Sequence, residues 1–222
     1  MKLDIKGDII RNDDKWVYDW LELDGTCPRD VHDTLEKANG QPVEVYINSG
    51  GGDVFAGSEI YEVLRSYPGG VHIHVVGLAA SAASVIACTG RSDIAPTAMM
   101  MVHNVSSSAW GDYRDMDHTS EVLQKANRAI AAAYTAKSGK PEAEVLAMMD
   151  RETWMTAQDA VEAGLVDAIS EGSDRLTAGG PGTLPREVVD RIKASVKNPF
   201  QTRSVRAAQA KLDFLKLKGE TT

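Results

Sequence analysis

The fold is decided by the stretch VEVYINSGGGD, residues 43–53. Its first five residues alternate apolar and polar side chains, which predicts a strand, and that strand ends in a glycine turn from Asn48 to Asp53. The following residues, Val54 to Arg65, repeat apolar side chains at helical spacing, and Val71 to Val76 indicates another strand. A strand, helix, strand order of this kind predicts a mainly parallel sheet.

The same alternation continues along the chain. An apolar helix is predicted over Ala82 to Cys88, and the methionine-rich segment 99–103 is predicted to be a buried strand rather than a ligand site. A long helix rich in Ala, Glu, Gln and Lys is predicted from about Asp112 to Lys137, and it should project from a compact body. Residues 156–159 have the form of a capping box, and Gly164 stands where a helix should end. We therefore expect an α/β fold with its sheet covered on both faces.

Composition and charge divide the chain into three parts. Residues 171–185 are rich in glycine, proline and other turn formers, so we expect a globular domain over 1–170, a linker over 171–185 and a basic, helical tail over 186–222. From Arg186 onward there are nine Lys and Arg against four Asp and Glu, a charge of +5, which leaves -13 on the remainder. An acidic body is a poor ligand for phosphate backbones, so no nucleic-acid partner is expected.

Several other classes of protein are disfavoured. No apolar run approaches the ~18 residues that a membrane span requires, and the first eight residues lack the pattern of an export signal. We expect a cytoplasmic protein with no membrane partner. Two cysteines, Cys27 and Cys88, are too few for a disulfide framework and have no metal-ligand spacing.

Four of the five histidines give no signal of chemistry. His72 and His74 alternate within a predicted strand and face the same side, whereas His32 and His118 fall on predicted helices among charged residues. None has metal-ligand spacing with a carboxylate partner, so we expect these histidines to be structural or solvated. Neither a metal ion nor a cofactor is expected.

Four short segments contain residue types that catalysis uses. The glycine turn 48–53 could present backbone N–H groups to an oxyanion or a phosphate, but it matches neither the Walker pattern nor the dinucleotide pattern. Ser81 lies in GLAASAAS, residues 77–84, where a strand ends in small residues and a helix begins, which places it at a helix N-terminus. His103 ends the methionine strand, and residues 149–154 contain two acids. Taken singly, these indicate a turn, a helix cap, a packed histidine and a charged loop.

In this order, the four segments resemble the proteolytic subunit of Clp protease, the ClpP family. The similarity covers about Ile5 to Ile169. The segments that carry it are YINSGGG at 46–52, GLAAS at 77–81, MVH at 101–103 and TAQDAVEAGLVD at 156–167. The resemblance implies the ClpP/crotonase-like α/β fold, with parallel sheets flanked by helices and a projecting handle helix.

The resemblance also implies the chemistry of a serine endopeptidase. Ser81 would be the nucleophile, His103 its general base, and Glu152 the acid that holds the imidazole, with Asp150 as the alternative. The family has an aspartate where this chain has Glu152. No cofactor is required, and the reaction passes through an acyl-enzyme.

The oxyanion hole implied by the resemblance consists of the N–H groups of Gly52 and Ala82. Asp53 follows the glycine turn where the family usually has a small apolar residue. An acid beside an oxyanion site should weaken transition-state stabilisation unless its side chain turns away.

The resemblance extends to assembly and biological role. The long helix 112–137 has the position of the family's handle, where two rings interlock, so a homo-oligomer is expected, as a heptameric ring or a double ring. The short N-terminus lacks the segment that faces the ATPase partner in the family, which argues against such a partner. Together with residues 150–154 and the basic tail, it is similar to the ClpP-like head maturation proteases of phages and prophages. A capsid or scaffold protein would then be the partner, in the host cytoplasm.

Two other functions stay open. The chain could be a catalytically weak or inactive ClpP-like scaffold, for which Asp53 and Glu152 would be the signs. It could also be an acyl-CoA enzyme of the crotonase superfamily, which shares the fold and uses glycine-turn amides in the same way. The Ala-Ala-Ser elbow followed by Met-x-His argues against the latter.

Overall fold

The computed structural model describes residues 1–171. The predicted tail 186–222, and all of the predicted linker 171–185 except Glu171, lie outside the described residues. Both therefore stay predictions.

Strands and helices alternate through most of the described chain. The strands are β1 (Lys2–Ile9), β2 (Gly25–Thr26), β3 (Val43–Gly52), β4 (Val71–Ala80), β5 (Arg91–Ile94), β6 (Met99–Val102), β7 (Thr153–Thr156) and β8 (Ala168–Ile169). The helices are α1 (Lys15–Leu21), α2 (Pro28–Ala38), α3 (Val54–Arg65), α4 (Ala82–Ala87), α5 (Tyr113–Ser138), α6 (Glu142–Asp150) and α7 (Ala157–Glu162). α3 has the predicted bounds, and α4 and α5 differ from the prediction by no more than one residue at either end. β4 runs four residues beyond the predicted Val76, and β3 continues to Gly52, through most of the segment predicted as a glycine turn.

The strands form one mainly parallel sheet. Its order is β2-β1-β3-β4-β5-β8, and every neighbouring pair in that path is parallel. β6 pairs in parallel with the last residues of β4, and β7 pairs antiparallel with β6. The predicted α/β fold with a parallel sheet is confirmed.

One face of the sheet forms the core, and the other face is open over β1, β3 and β4. Val45, Ile73 and Val75 are fully buried, whereas their neighbours on the opposite face, such as Tyr46 and His74, are only partly buried. The expectation of a sheet covered on both faces is wrong for these strands. The sequence itself alternates apolar and polar residues here, as a half-solvated sheet requires.

The long helix α5 has the character expected of a projecting handle. All of its buried residues belong to its C-terminal part, at Ile130, Ala131, Ala133 and Tyr134. An N-terminal capping box at Asp112 and a left-handed Gly139 define its ends. Within residues 1–171, no helix is both long and apolar enough to cross a membrane.

Two smaller predictions are also met. Thr156 and Asp159 form the reciprocal capping box of α7, and Gly164, with a φ of 75°, follows the end of that helix. Met100 and Met101 of the methionine strand are buried, although Met99 is 40% exposed at its start.

Candidate active site

Ser81 lies at a sharp elbow between β4 and α4. Its φ of 55° and ψ of -126° are an unusual conformation for a residue other than glycine, and such strain is kept only where neighbouring contacts enforce it. The Ser81 N–H donates to the carbonyl oxygen of Met101 at 3.0 Å. The Ser81 carbonyl oxygen accepts from the Ser84 hydroxyl at 2.6 Å. The elbow is therefore held from both sides.

Ser84 is fully buried, and it belongs to a buried hydrogen-bond chain. Its Oγ is 2.7 Å from the hydroxyl of Tyr134, which extends from α5. Burial raises the pKa of Tyr134, so this phenol stays protonated and donates to Ser84, whose own proton goes to the Ser81 carbonyl. The handle helix and the elbow are thus connected through two hydroxyl groups, which the sequence analysis did not anticipate.

His103 stands beside Ser81, with its Nε2 2.7 Å from the serine Oγ. The sheet explains why they meet. β6 pairs in parallel with the end of β4, with Met101 opposite Ala80, so the residues that follow the two strands emerge side by side. A hydroxyl and an imidazole within hydrogen-bond distance are the arrangement of an activated nucleophile and its base.

The glycine turn lies directly against the elbow. Gly51 and Gly52 both have positive φ, at 96° and 150°. A Cβ on Gly51 would be 2.7 Å from the Ser81 Cβ and 2.7 Å from the Ala80 carbonyl oxygen, so only glycine fits there without displacement. Gly52 and Ala82 line the same cleft as Ser81 and His103.

Asp53 turns its carboxylate towards the start of α3. Its Oδ1 accepts hydrogen bonds from the N–H groups of Phe55 at 3.0 Å and Ala56 at 2.8 Å, which is the geometry of a helix N-cap. The positive end of the helix dipole stabilises the carboxylate in this position. The Asp53 side chain therefore has a structural role as a helix cap. It is turned away from the oxyanion site, so it need not weaken transition-state stabilisation.

The cleft beside Ser81 has a volume of about 380 Å³. The glycine turn and α4 form one side, and residues 103–107 together with α5 form the other. Much of its wall is apolar, from Val85, Val122, Leu123, Ala126 and Ile130. Such a cleft can accept an apolar side chain next to a reacting carbonyl group.

Neither predicted acid contacts His103. Glu152 Oε1 accepts from the indole N–H of Trp154 at 3.2 Å, and Asp150 Oδ1 accepts from the side-chain amide of Asn104 at 2.8 Å. Among residues 1–171, His103 forms no ion pair, and its Nδ1 has no hydrogen-bond partner there. The structure thus brings together the serine, the histidine and the two oxyanion candidates, and places both acids nearby but turned away.

The position of Glu152 in the sheet nevertheless distinguishes it from Asp150. β6 and β7 pair antiparallel, with Val102 opposite Thr153. The next pair in that register would be His103 and Glu152, and directly opposed residues on antiparallel strands lie within ~5.5 Å of each other at Cβ. Glu152 has a left-handed φ of 49° at this point, where the chain turns from α6 into β7.

Comparison with known proteins decides the family. The family model for Clp protease matches residues 33–173, which is well over half of the chain and includes every residue of the site just described. The chain belongs to the Clp protease family. The sequence resemblance to ClpP is thereby confirmed.

Curated relatives agree with this assignment. The ATP-dependent Clp protease proteolytic subunit of Bacteroides fragilis is 34% identical over 133 residues, 59% of this chain and 64% of that protein. Proteolytic subunit 1 of Leifsonia xyli subsp. xyli is 32% identical over 146 residues, 64% of this chain and 74% of that protein. Proteolytic subunit 1 of Chlamydia caviae is 35% identical over 143 residues, 62% of this chain and 74% of that protein. These three relatives are bacterial proteins. The similarity to phage proteases stays a prediction.

The expectation that none of these four histidines has a carboxylate partner is wrong for three of them, and for His32 the contact is with Glu36 of the same helix, at 3.7 Å. His72 and His74 both contact Glu44 and Asp93 on neighbouring strands. Residue spacing does not predict these contacts of His72 and His74, because they depend on the register of three strands, which spacing does not reveal.

Proposed function

We propose that this Clp protease family member is a serine endopeptidase in which Ser81 is the nucleophile and His103 the general base. The observation that carries the proposal is the distance of 2.7 Å between Ser81 Oγ and His103 Nε2 at a strained elbow beside an open cleft. The family assignment supports the same class of reaction.

The reaction proceeds through an acyl-enzyme. His103 Nε2 takes the proton of Ser81 Oγ as that oxygen bonds to the peptide carbonyl carbon, and the carbonyl oxygen becomes an oxyanion. The imidazolium then gives the proton to the departing amine as the C–N bond breaks. Water, deprotonated by His103, then attacks the ester carbonyl carbon. The imidazolium returns this proton to Ser81 Oγ as the ester C–O bond breaks and the acid leaves. Each step balances without a cofactor.

The oxyanion would be bound by the N–H groups of Gly52 and Ala82. Gly52 ends β3 with its φ of 150°, and Ala82 begins α4, so both groups belong to backbone that other contacts hold in place. A preorganised donor of this kind is worth roughly 3 kcal/mol of transition-state stabilisation. Both residues line the cleft, Gly52 as an exposed residue and Ala82 as a residue that is otherwise buried.

Glu152 is proposed as the positioning acid of the triad. The strand register supports it, since the ladder ends at Val102 and Thr153, the residues next to His103 and Glu152. The Glu152 side chain is exposed, and its contact in the described part of the chain is with the Trp154 indole. Rotation away from Trp154 would let the carboxylate accept from His103 Nδ1–H. Asp150 is the alternative, and its bond to Asn104 would first have to break.

The proposed substrate is a polypeptide, because the cleft is open and has an apolar wall next to the nucleophile. A homo-oligomeric ring, heptameric or doubled, is proposed from the exposed length of α5. The proposed biological role is cleavage of a capsid or scaffold protein during phage head maturation.

A catalytically weak scaffold is the second candidate, and one observation favours it: no acid contacts His103 in the described part of the chain. Cleavage of an unfolded polypeptide such as reduced casein separates the two. Wild-type protein and Ser106→Ala should degrade it, whereas Ser81→Ala should not. Ser106 is an exposed serine of the same cleft, which makes it a matched control. Equal turnover by Ser81→Ala would end the peptidase proposal, and no turnover by any of the three would favour the scaffold.

A further inference from the structure

Four side chains form a cluster on the open face of the sheet: Glu44, His72, His74 and Asp93, here called the histidine cluster. His74 Nε2 lies 2.7 Å from Glu44 Oε2, and His74 Nδ1 lies 2.9 Å from Asp93 Oδ2. His72 Nδ1 lies 3.4 Å from the same Glu44 oxygen, and His72 Nε2 lies 3.1 Å from the same Asp93 oxygen. Each carboxylate thus bridges two imidazole rings.

The strand register creates the cluster. His72 and His74 are two residues apart on β4, so they share one face of the sheet. Glu44 is paired with His72 across to β3, and Asp93 is paired with His74 across to β5. The two rings lie with centroids 4.2 Å apart, and Tyr46 stacks on His74 from the other side. All four residues are fixed on strands of the central sheet rather than on loops.

Three possible ligand atoms of the histidine cluster lie close together. The contacting nitrogens of His72 and His74 and a Glu44 carboxylate oxygen all lie within 4.8 Å of one another. Ligand atoms around a tetrahedral zinc ion, with bonds of about 2.0–2.2 Å, are ~3.3 Å apart. The observed separations of 2.7 and 3.4 Å are close to that value, so side-chain rotations alone would admit an ion.

Asp93 stands where an outer partner of metal-bound histidines belongs. It contacts the ring nitrogens that face away from Glu44, which are Nδ1 of His74 and Nε2 of His72. A carboxylate there keeps the proton on those nitrogens, so the lone pairs of the other two point towards Glu44. The Asp93 and His74 side chains are only 17% and 19% exposed, which makes this a partly desolvated site.

We propose that Glu44, His72 and His74 bind a divalent transition-metal ion, with Asp93 as their outer partner. Two imidazoles and one carboxylate favour Zn²⁺ over Mg²⁺ or Ca²⁺, which prefer oxygen ligands only. The Glu44 side chain is 46% exposed, so solvent can deliver the ion and occupy the fourth position.

A proton is the competitor of the ion. Burial alone would lower the pKa of His74, but its hydrogen bonds to Glu44 and Asp93 outweigh burial and hold that pKa above its ordinary value. The alternative to metal binding is therefore a protonated His74 paired with the two carboxylates, and the experiment must distinguish these two states.

The site is independent of the proposed peptidase centre. His74 precedes Ser81 by seven residues along β4, about 23 Å at the rise of an extended strand. The role that fits this position is structural, because an ion held by β3 and β4, with Asp93 of β5 as outer partner, would tie the three strands together. A failure of the metal-site proposal can therefore be distinguished from a failure of the peptidase proposal.

The test is isothermal titration of the untagged full chain, freed of metal with a chelator, at about pH 7.5, where an ordinary imidazole is neutral. ZnCl₂ should bind at one ion per chain and raise the melting temperature, and MgCl₂ should do neither. His74→Gln and Glu44→Gln should abolish the zinc heat, and Asp93→Asn should weaken affinity about 10- to 100-fold. Glu44→Gln, at a half-exposed position, keeps the test valid if His74→Gln does not fold.

His32→Gln is the matched control. His32, Asp33 and Glu36 form another group of possible ligands, but all three are exposed. This variant should bind zinc as the wild type does. Absence of zinc binding by folded wild-type protein would overturn the proposal in favour of the protonated cluster, and unchanged binding by Glu44→Gln and His74→Gln would place the ion elsewhere.

Discussion

Gly51→Ala should disable the proposed active site while leaving most of the fold intact. The added Cβ would be 2.7 Å from the Ser81 Cβ, whereas carbon atoms normally pack at about 3.5–4.0 Å. The glycine turn and the elbow must therefore separate by roughly 1 Å. A misplacement of this size costs about 100-fold in rate, because the oxyanion donors no longer meet the position of the developing charge.

Gly51→Ala should lower the stability of the fold less than it lowers the activity. An L-residue in a left-handed conformation, as at φ 96°, costs about 1–2 kcal/mol, which for a chain of this size lowers the melting temperature by about 2–8 °C. The matched control is Gly50→Ala, because a Cβ at Gly50 meets nothing within 4 Å. The assay is kcat/KM on a fluorogenic polypeptide, with melting followed in parallel. A folded Gly51→Ala protein as active as Gly50→Ala would refute the proposed packing of the turn against the nucleophile.

Three further predictions concern the acid of the triad, the ion pair between Lys137 and the half-exposed Asp167, and assembly. Glu152→Gln should lower kcat by at least 100-fold with little change in KM, and Asp150→Asn should change it less than threefold; the reverse order would assign the acid to Asp150. Burial alone would raise the pKa of Asp167, but hydrogen bonds from Lys137 and Ser92 hold this pKa below its ordinary value. The ion pair therefore stabilises the fold above about pH 4, and this stabilisation is lost as the pH falls through the lowered pKa. Urea midpoints at neutral and acid pH should therefore differ less in Asp167→Asn than in wild type, and equal differences would exclude this role. Light scattering at micromolar concentration should show an oligomer, and a monomer would contradict the proposed ring.

Local pattern was sufficient to predict much of the fold. The apolar periodicity predicted α3 at its observed bounds, Val54–Arg65, and the composition of 112–137 predicted α5 to within one residue at each end. Both helices have caps and periodicity that a short window of sequence contains.

The pairing of distant strands could not be predicted in the same way. The pairing of β6 with β4 brings His103 to Ser81, and residue spacing alone does not reveal it; the resemblance to ClpP implied the pair, and the register explains it. The histidine cluster had no such aid. Its members come from three strands, so only the register brings Glu44 and Asp93 to the two histidines. The orientation of Glu152 towards Trp154 is likewise a side-chain feature that no sequence pattern encodes.

The proposed function depends on Ser81 being a nucleophile that His103 activates. Mass spectrometry of the intact protein after reaction with a serine-directed fluorophosphonate tests it most directly. We expect one adduct per chain, located on Ser81 by peptide mapping. Labelling should be absent from Ser81→Ala and strongly slowed in His103→Ala, while Ser106→Ala should label like wild type. Adduct formation at the wild-type rate in Ser81→Ala, or on another serine, would contradict it.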